Sequence, residues 1–180
     1  DPDRYRQQAL DFAAMYIGED PHAPNWDPER KKLRSPLNGS KGPRFETTQV
    51  DWEYHRPILA QYLAPFEDME GLDATDPHVK ADWTDDEVFE HVLSLINSRM
   101  TKNDVPLNLH STSMVTHAYI YTGDDKYKNW VLDYIQTWMD HRDKNGGIVP
   151  DNIGPNGQIG ELMNGKWWGG YYGWRWPHGA

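Results

Sequence analysis

Apolar residues recur at every third or fourth position in five segments of this chain, which is the spacing of an amphipathic α-helix. The pattern predicts helices over residues 3–17, 52–66, 84–100, 107–121 and 125–142. It is most regular in the last segment, where the apolar positions are Tyr127, Trp130, Val131, Tyr134, Ile135, Trp138 and Met139. Because no long stretch alternates apolar and polar residues as a half-buried strand does, the pattern favours an all-α fold.

Residues that prefer helix ends mark several of these boundaries. Gly18 and Gly123 follow the first and fourth segments, where a left-handed residue ends a helix. Thr84 opens a Thr-Asp-Asp-Glu capping box, and Pro106 precedes the fourth segment as a start signal. Pro57 requires the regular part of the second helix to begin there. Two long polar loops rich in proline and glycine, 18–51 and 143–178, complete the pattern.

The fourth and fifth predicted helices differ in character. Segment 107–121 carries small and hydroxyl residues all round, as an enclosed helix does, whereas 125–142 is charged on one face and apolar on the other. The short turn through Gly123 joins them into an αα-hairpin. We therefore expect an inner helix at 107–121 and an outer helix at 125–142.

Composition favours a protein that meets polar ligands. The 180 residues include 9 Trp and 10 Tyr but 4 Phe, so most aromatic rings carry a polar group. The net charge of −10 argues against nucleic acid or an anionic membrane as partner. No apolar stretch is long enough to span a bilayer, and no signal-peptide pattern opens the chain. The absence of Cys excludes thiol chemistry and fits a secreted or periplasmic protein.

The segment 167–178 has the composition of a sugar-binding surface. Aromatic rings stack on the apolar faces of sugars, cationic side chains bind hydroxyls or a carboxylate, and glycine lets the backbone approach. An unpartnered Arg or His between bulky rings would be costly in a purely structural loop. The residues that carry this prediction are Trp167, Trp168, Tyr171, Tyr172, Trp174, Arg175, Trp176 and His178.

Three runs in the second half of the chain resemble a hairpin of the (α/α) toroid, or six-hairpin glycosidase-like, enzymes. They are Asn-Leu-His-Ser-Thr at 108–112, Thr-Gly-Asp-Asp-Lys-Tyr at 122–127 and Asn-Gly-Gly-Ile-Val-Pro-Asp at 145–151. The resemblance covers residues 84–178, and this broad group contains polysaccharide lyases and glycoside hydrolases. It implies helical hairpins of an incomplete (α/α) toroid, because a complete toroid has more helices than this chain supplies. Residues 1–180 would then form a single helical domain or a fragment of a larger barrel, whose remainder comes from the parent chain or another subunit.

The resemblance also implies where the loops lie. In such toroids the connections from each outer helix to the next inner helix line a cleft at one end of the barrel. Here these connections are 18–51, 101–107 and 143–170. The candidate cleft residues are Trp26, Trp52, Glu53, His55, Asn108, His110, Asp151, Glu161, Trp167, Trp168, Tyr171, Tyr172, Arg175 and His178.

A polysaccharide lyase is the preferred function for this set. A lyase that acts on a uronic-acid glycan neutralises the carboxylate, removes the adjacent proton and protonates the leaving oxygen. Asn108 and His110 resemble the Asn and His at the start of an inner helix in several toroidal lyases. Tyr171 or Tyr172 would supply the acid, and Arg175 with His178 would clamp the carboxylate. The predicted partner is therefore a uronate-containing polysaccharide or oligosaccharide.

Two other functions remain open. A glycoside hydrolase needs two facing carboxyl groups, for which Asp151 with Glu161, or Asp51 with Glu53, are the candidates. A non-catalytic glycan-binding protein needs the stacking aromatic residues alone. No cofactor is expected, although the polar set Asp151, Asn152, Asn156, Gln158 and Glu161 offers the oxygen ligands of a structural Ca²⁺.

Overall fold

The computed structural model describes residues 2–39, 42–59 and 82–168, and within these ranges the chain is mostly helical. Two 3-10 helices, Met100–Lys102 and Pro106–His110, connect longer elements. The described α-helices are α1 (Pro2–Ile17), α2 (Gln49–Trp52), α3 (Arg56–Leu59), α4 (Asp86–Ser98), α5 (Ser111–Thr122) and α6 (Asp125–Lys144). The mostly helical class predicted from the sequence is thus confirmed. None of these helices combines the length and apolarity that a bilayer-spanning segment requires.

Helices α1, α5 and α6 pack together around one apolar core. Helix α5 contacts both of the others, and Gly123 ends it in the left-handed conformation with φ of 67°. The expectation that α5 is enclosed on all sides is wrong for the described residues, because Thr116, His117 and Ile120 are exposed. Among the described residues, the neighbours of α5 cover one side of the helix. The buried residues of this core are Ala13, Tyr16, Leu33, Val115, Ala118, Tyr127, Trp130, Tyr134, Trp138 and Ile153.

A second apolar core lies around α4. Asp85 caps this helix and accepts a hydrogen bond from the backbone N–H of Val88 at 3.0 Å. The prediction that Thr84 is the cap is wrong, because its hydroxyl donates to Asp82 at 2.6 Å instead. The buried residues of this core are Trp83, Phe89, Val92, Ile96, Met100, Val105 and Met163.

The predicted helix 52–66 begins differently in the structure. The chain forms the short helices α2 and α3, and residues 60–66 lie outside the described ranges. Asp51 accepts hydrogen bonds from both the backbone N–H and the hydroxyl of Thr48, which starts α2 before Trp52. Pro57 then stands at the second position of α3, where its missing N–H costs nothing.

The long loop after α1 contains two antiparallel hairpins. Strand β1 (Trp26–Asp27) pairs with β2 (Lys32–Leu33), and β3 (Asn38–Gly39) pairs with β4 (Gly42–Pro43). Strands of two residues are too short to show alternation in the sequence. The buried Asn25 holds the first hairpin to the following turn, since its side-chain oxygen accepts from the backbone N–H groups of Arg34 and Ser35.

Candidate functional site

A buried carboxylate joins the first hairpin, α6 and the 3-10 helix that precedes α5. Asp104 has no solvent-exposed surface, and its side chain accepts a hydrogen bond from Asn108 at 2.7 Å. The Tyr134 hydroxyl donates to the same carboxylate at 3.0 Å, and the backbone N–H of Leu33 donates at 2.9 Å. These donors come from segments far apart in the chain. Asp104 therefore sets the relative positions of the elements that carry the candidate site.

Burial changes the acidity of this carboxylate. Desolvation raises the pKa of Asp104 to about 6, although the hydrogen bonds from Asn108 and Leu33 and the charge of Lys32 oppose the shift. Burial and the neighbouring charge of Asp104 likewise raise the pKa of the Tyr134 hydroxyl well above its ordinary value. Tyr134 thus stays a hydrogen-bond donor to Asp104 over the whole neutral range.

The backbone around Asp104 directs Asn108 and His110 to one place. Asp104 and Ile153 exchange two backbone hydrogen bonds, which fix the chain before the turn. Pro106 then starts the 3-10 helix Pro106–His110, and α5 follows directly. The α-helix begins at Ser111, later than the predicted start at residue 107, so the connection before it is longer than predicted.

Asn108, His110 and Tyr16 line one cavity of about 210 Å³, which we call the Asn108 cavity. Asn108 and Tyr16 are buried and His110 is exposed. Burial raises the pKa of the Tyr16 hydroxyl, which keeps the phenol protonated. The remaining lining residues are Pro36, Asn38, Leu107, Ser111 and Met114. The cavity therefore unites an amide, an imidazole and a protonated phenol.

A second cavity of about 300 Å³ lies beside the first hairpin. Lys32 is 2% exposed, and its ammonium donates to the backbone oxygen of Leu33 at 3.1 Å. Burial lowers the pKa of Lys32, although the carboxylates of Asp104, Asp27 and Glu161 oppose this shift. We call this the Lys32 cavity; its lining residues are Asp27, Lys32, Arg34, Phe45, Thr101, Lys102 and Pro155.

The two predicted catalytic acids are engaged in their own loop. Glu161 accepts hydrogen bonds from the backbone and side-chain N–H groups of Asn156 at 2.9 and 2.6 Å. Asp151 accepts from the side chain of Asn152 at 2.5 Å. Neither acid lines the Asn108 cavity or the Lys32 cavity. Within residues 2–39, 42–59 and 82–168, no group of three or more His, Asp or Glu side chains is arranged to hold a metal ion.

Two of the predicted sugar-stacking rings pack against the cores. The Trp26 ring lies 4.9 Å from that of Trp130 and 5.8 Å from that of Tyr134. The Trp52 ring lies 5.8 Å from that of Trp83. Both side chains are half-buried in these aromatic groups, and neither lines either cavity.

Trp167 and Trp168 present a more open pair of rings. Their centroids are 6.3 Å apart, and Trp168 is 54% exposed. The backbone oxygen of Trp167 accepts from the N–H of Asp151 at 2.9 Å, which holds the pair to the end of the loop. Neither ring lines the Asn108 cavity. The other predicted residues of this segment, Tyr171, Tyr172, Trp174, Arg175, Trp176 and His178, lie outside the described residues.

The comparison with protein families gives one match. Residues 1–180 match the sequence profile of a family described as Domain of unknown function (DUF8034). The chain belongs to this family. Comparisons of the DUF8034 chain with curated proteins and with solved structures found no match.

Sequence reasoning missed two residues that line the cavities of this DUF8034 chain, Tyr16 and Lys32, and the buried Asp104, which lies outside both linings. In the sequence, Tyr16 occupies an ordinary apolar position of α1, and Asp104 has the appearance of a loop acid. Lys32 stands in the run Arg30-Lys31-Lys32-Leu33-Arg34, which has the appearance of a solvated charged segment. The hydrogen bond from Leu33 to Asp104 spans 71 positions, so no local pattern reveals that this segment is buried.

Proposed function

We propose that this chain belongs to a carbohydrate-active enzyme that cleaves a uronate-containing polysaccharide or oligosaccharide by β-elimination. The observation that carries the proposal is the shared cavity of Asn108, His110 and Tyr16. β-Elimination requires a donor to the carboxylate, a base for the proton on the adjacent carbon, and an acid for the leaving oxygen. These three side chains supply the three functions.

In this proposal Asn108 donates a hydrogen bond to the substrate carboxylate. One of its two N–H groups is held by Asp104 at 2.7 Å, which orients the amide plane and leaves the second N–H for a ligand. Such a donor stabilises the negative charge that spreads onto the carboxylate as the adjacent proton leaves. Because Asp104 is itself held by Tyr134 and Leu33, the amide is oriented before the substrate binds.

His110 and Tyr16 take the two proton-transfer roles. The imidazole of His110 removes the proton from the carbon next to the carboxylate, and the electron pair of that C–H bond forms the new double bond. The bond to the leaving glycosidic oxygen breaks, and this oxygen receives the Tyr16 proton. The raised pKa of Tyr16 suits an acid that must be protonated when substrate binds.

The segment 167–178 extends the binding surface in this proposal. Trp167 and Trp168 stack on neighbouring sugar units, and Arg175 with His178 clamps a carboxylate. Tyr171 and Tyr172 are alternative acids to Tyr16. The chain would supply helical hairpins of a larger (α/α) toroid, whose remainder comes from the parent chain or another subunit. A secreted or periplasmic location fits a polysaccharide substrate.

The hydrolase alternative has less support. Asp151 and Glu161 would need to face each other across a bound sugar, yet both accept hydrogen bonds from adjacent loop amides. A purely glycan-binding role would depend on the exposed Trp168 and would leave the Asn108 cavity without a function.

The proposal is tested by His110→Gln in the complete natural protein that carries this chain. We expect the variant to cleave polyuronate at least about 100-fold more slowly, because the base is lost. The matched control is His117→Gln, which replaces an exposed histidine of α5 outside the lining of the Asn108 cavity and should keep full activity. Unchanged cleavage by His110→Gln would refute the proposed mechanism.

A further inference from the structure

The Lys32 cavity combines a buried ammonium with two cations at its edge. Arg34 and Lys102 line the cavity and are exposed, whereas Lys32 is almost fully buried. Among the described residues, Asp27 is the one acid in the lining, and Arg30, which lies outside the lining, binds it at 3.3 Å. Arg30 thus offsets the charge of Asp27. Three cations in one lining form a site suited to a negative ligand.

The Lys32 ammonium has unused donor capacity. An ammonium group carries three N–H donors. Among the described residues, Lys32 uses one of them in its hydrogen bond to the backbone oxygen of Leu33. The charges of Asp104, Asp27 and Glu161 act on Lys32, but none of these carboxylates forms an ion pair with it in the described part of the chain. A ligand oxygen that enters the cavity would therefore meet a desolvated donor.

The same cavity also offers surfaces for a sugar ring. Phe45 lines the cavity and is 37% exposed, so its ring offers a surface for the apolar face of a pyranose. Inorganic anions make no use of such a ring.

We propose that the Lys32 cavity is a second sugar subsite, which binds the carboxylate of a hexuronate unit through Lys32, Arg34 and Lys102 while Phe45 stacks on the ring. The choice of a uronate as ligand rests on the proposed function. The subsite is separate from the Asn108 cavity, since the two linings share no residue. Asp104 lies between them, because it accepts from Asn108 and interacts electrostatically with Lys32. In this proposal the chain binds an acidic glycan at two places.

The test is an NMR titration of the chain with glucuronate, with glucose and with inorganic sulfate, followed at the backbone amides of Thr101 and Lys102. We expect glucuronate to shift these resonances with a dissociation constant at least about 10-fold lower than that of glucose or sulfate. Arg34→Gln and Lys102→Gln should each weaken glucuronate binding by about 10-fold. Both positions are exposed, so these variants keep the fold. Arg142→Gln and Lys128→Gln, which replace cations of α6 outside the cavity, are the matched controls and should bind as the unmodified chain does.

Several outcomes would overturn the subsite. The subsite is refuted if glucuronate leaves the resonances of Thr101 and Lys102 unmoved. It is also refuted if glucose or sulfate shifts them at the same concentration, or if Arg34→Gln binds glucuronate as Arg142→Gln does. The proposed function is judged separately by polyuronate cleavage. Cleavage without these shifts would contradict the subsite alone, and shifts without cleavage would contradict the enzyme alone.

Discussion

The side-chain amide of Asn108 donates a hydrogen bond of 2.7 Å to the buried carboxylate of Asp104. This contact connects a side chain of the Asn108 cavity to the interior of the protein. The same carboxylate accepts from Tyr134 of α6 and from the backbone of β2 at Leu33. Contacts made well away from the cavity thus determine the orientation of the Asn108 amide, which is proposed to bind the substrate carboxylate.

Asp104→Asn should destabilise the chain by about 2 kcal/mol or more. The carboxylate accepts from donors on all sides, so an amide at this position would direct its own N–H groups at one of them. The measurement is the free energy of unfolding in urea. Asp140→Asn on the exposed face of α6 is the control and should change stability by less than about 0.5 kcal/mol. Equal effects of the two substitutions would contradict the account of Asp104.

The pKa of Asp104 also predicts a pH dependence of stability. Its folded pKa of about 6 lies above the ordinary value of 3.8, so the folded state holds this proton more tightly than the unfolded state. The resulting stability is fully present below the ordinary pKa and is lost as pH rises through about 6. Relative to Asp104→Asn, the unmodified chain should lose about 2 kcal/mol between about pH 4 and about pH 7. A flat difference between the two curves would show that Asp104 has no raised pKa.

Helices α1, α4, α5 and α6 were predictable from the sequence because their signals are local. Tyr127, Trp130, Tyr134 and Trp138 repeat at helical spacing, and all four are buried in α6. Gly123 ends α5 as its backbone freedom predicts. The precise starts were less predictable, since Thr84 and Asp85 are both good caps and tertiary contacts choose between them.

The candidate site was predictable only in part. Asn108 and His110 were found from a short run that resembles other enzymes, and they do line one cavity. Tyr16 joins them from α1, at the other end of the chain, through packing that no local pattern encodes. Charged side chains such as Lys32 and Asp104 are ordinarily expected at the surface. Their burial follows from long-range contacts.

Substitutions of tryptophan should separate ligand contacts from core contacts. Trp168→Ala should weaken glycan binding by about 1 to 3 kcal/mol and leave the fold intact, because the ring is 54% exposed. Trp167→Ala should act in the same direction. Trp26→Ala should instead lower the free energy of unfolding by about 3 kcal/mol, since its ring packs on Trp130 and Tyr134. Calorimetric binding and urea unfolding of each variant provide the measurements. If Trp168→Ala unfolded the chain, the ring would be needed for the fold and would not be a separate ligand contact.

Three single Phe variants identify the catalytic acid. Tyr16→Phe should lower kcat by about 100-fold or more with KM nearly unchanged, because the phenol acts on the leaving oxygen in the transition state. Tyr171→Phe and Tyr172→Phe serve as comparisons. If one of these two loses activity while Tyr16→Phe retains it, the role passes to the segment 167–178.

Replacement of the loop acids tests the competing hydrolase. Asp151→Asn and Glu161→Gln should reduce kcat by less than about 10-fold, since both carboxylates serve their own loop. Steady-state kinetics on the same substrate provide the comparison. An essential acid at either position, together with full activity of all three Phe variants, would favour the two-carboxylate hydrolase.

The most direct test of the central claim is whether cleavage leaves a new double bond in the product or adds an oxygen atom from water. The complete natural protein is incubated with a panel of uronate-containing polysaccharides in water labelled with heavy oxygen, and the products are examined by ultraviolet absorbance and mass spectrometry. The account predicts products that absorb as unsaturated uronates and contain no oxygen from the water. Products that carry the heavy oxygen and lack this absorbance, or binding of these glycans without any cleavage, would contradict it.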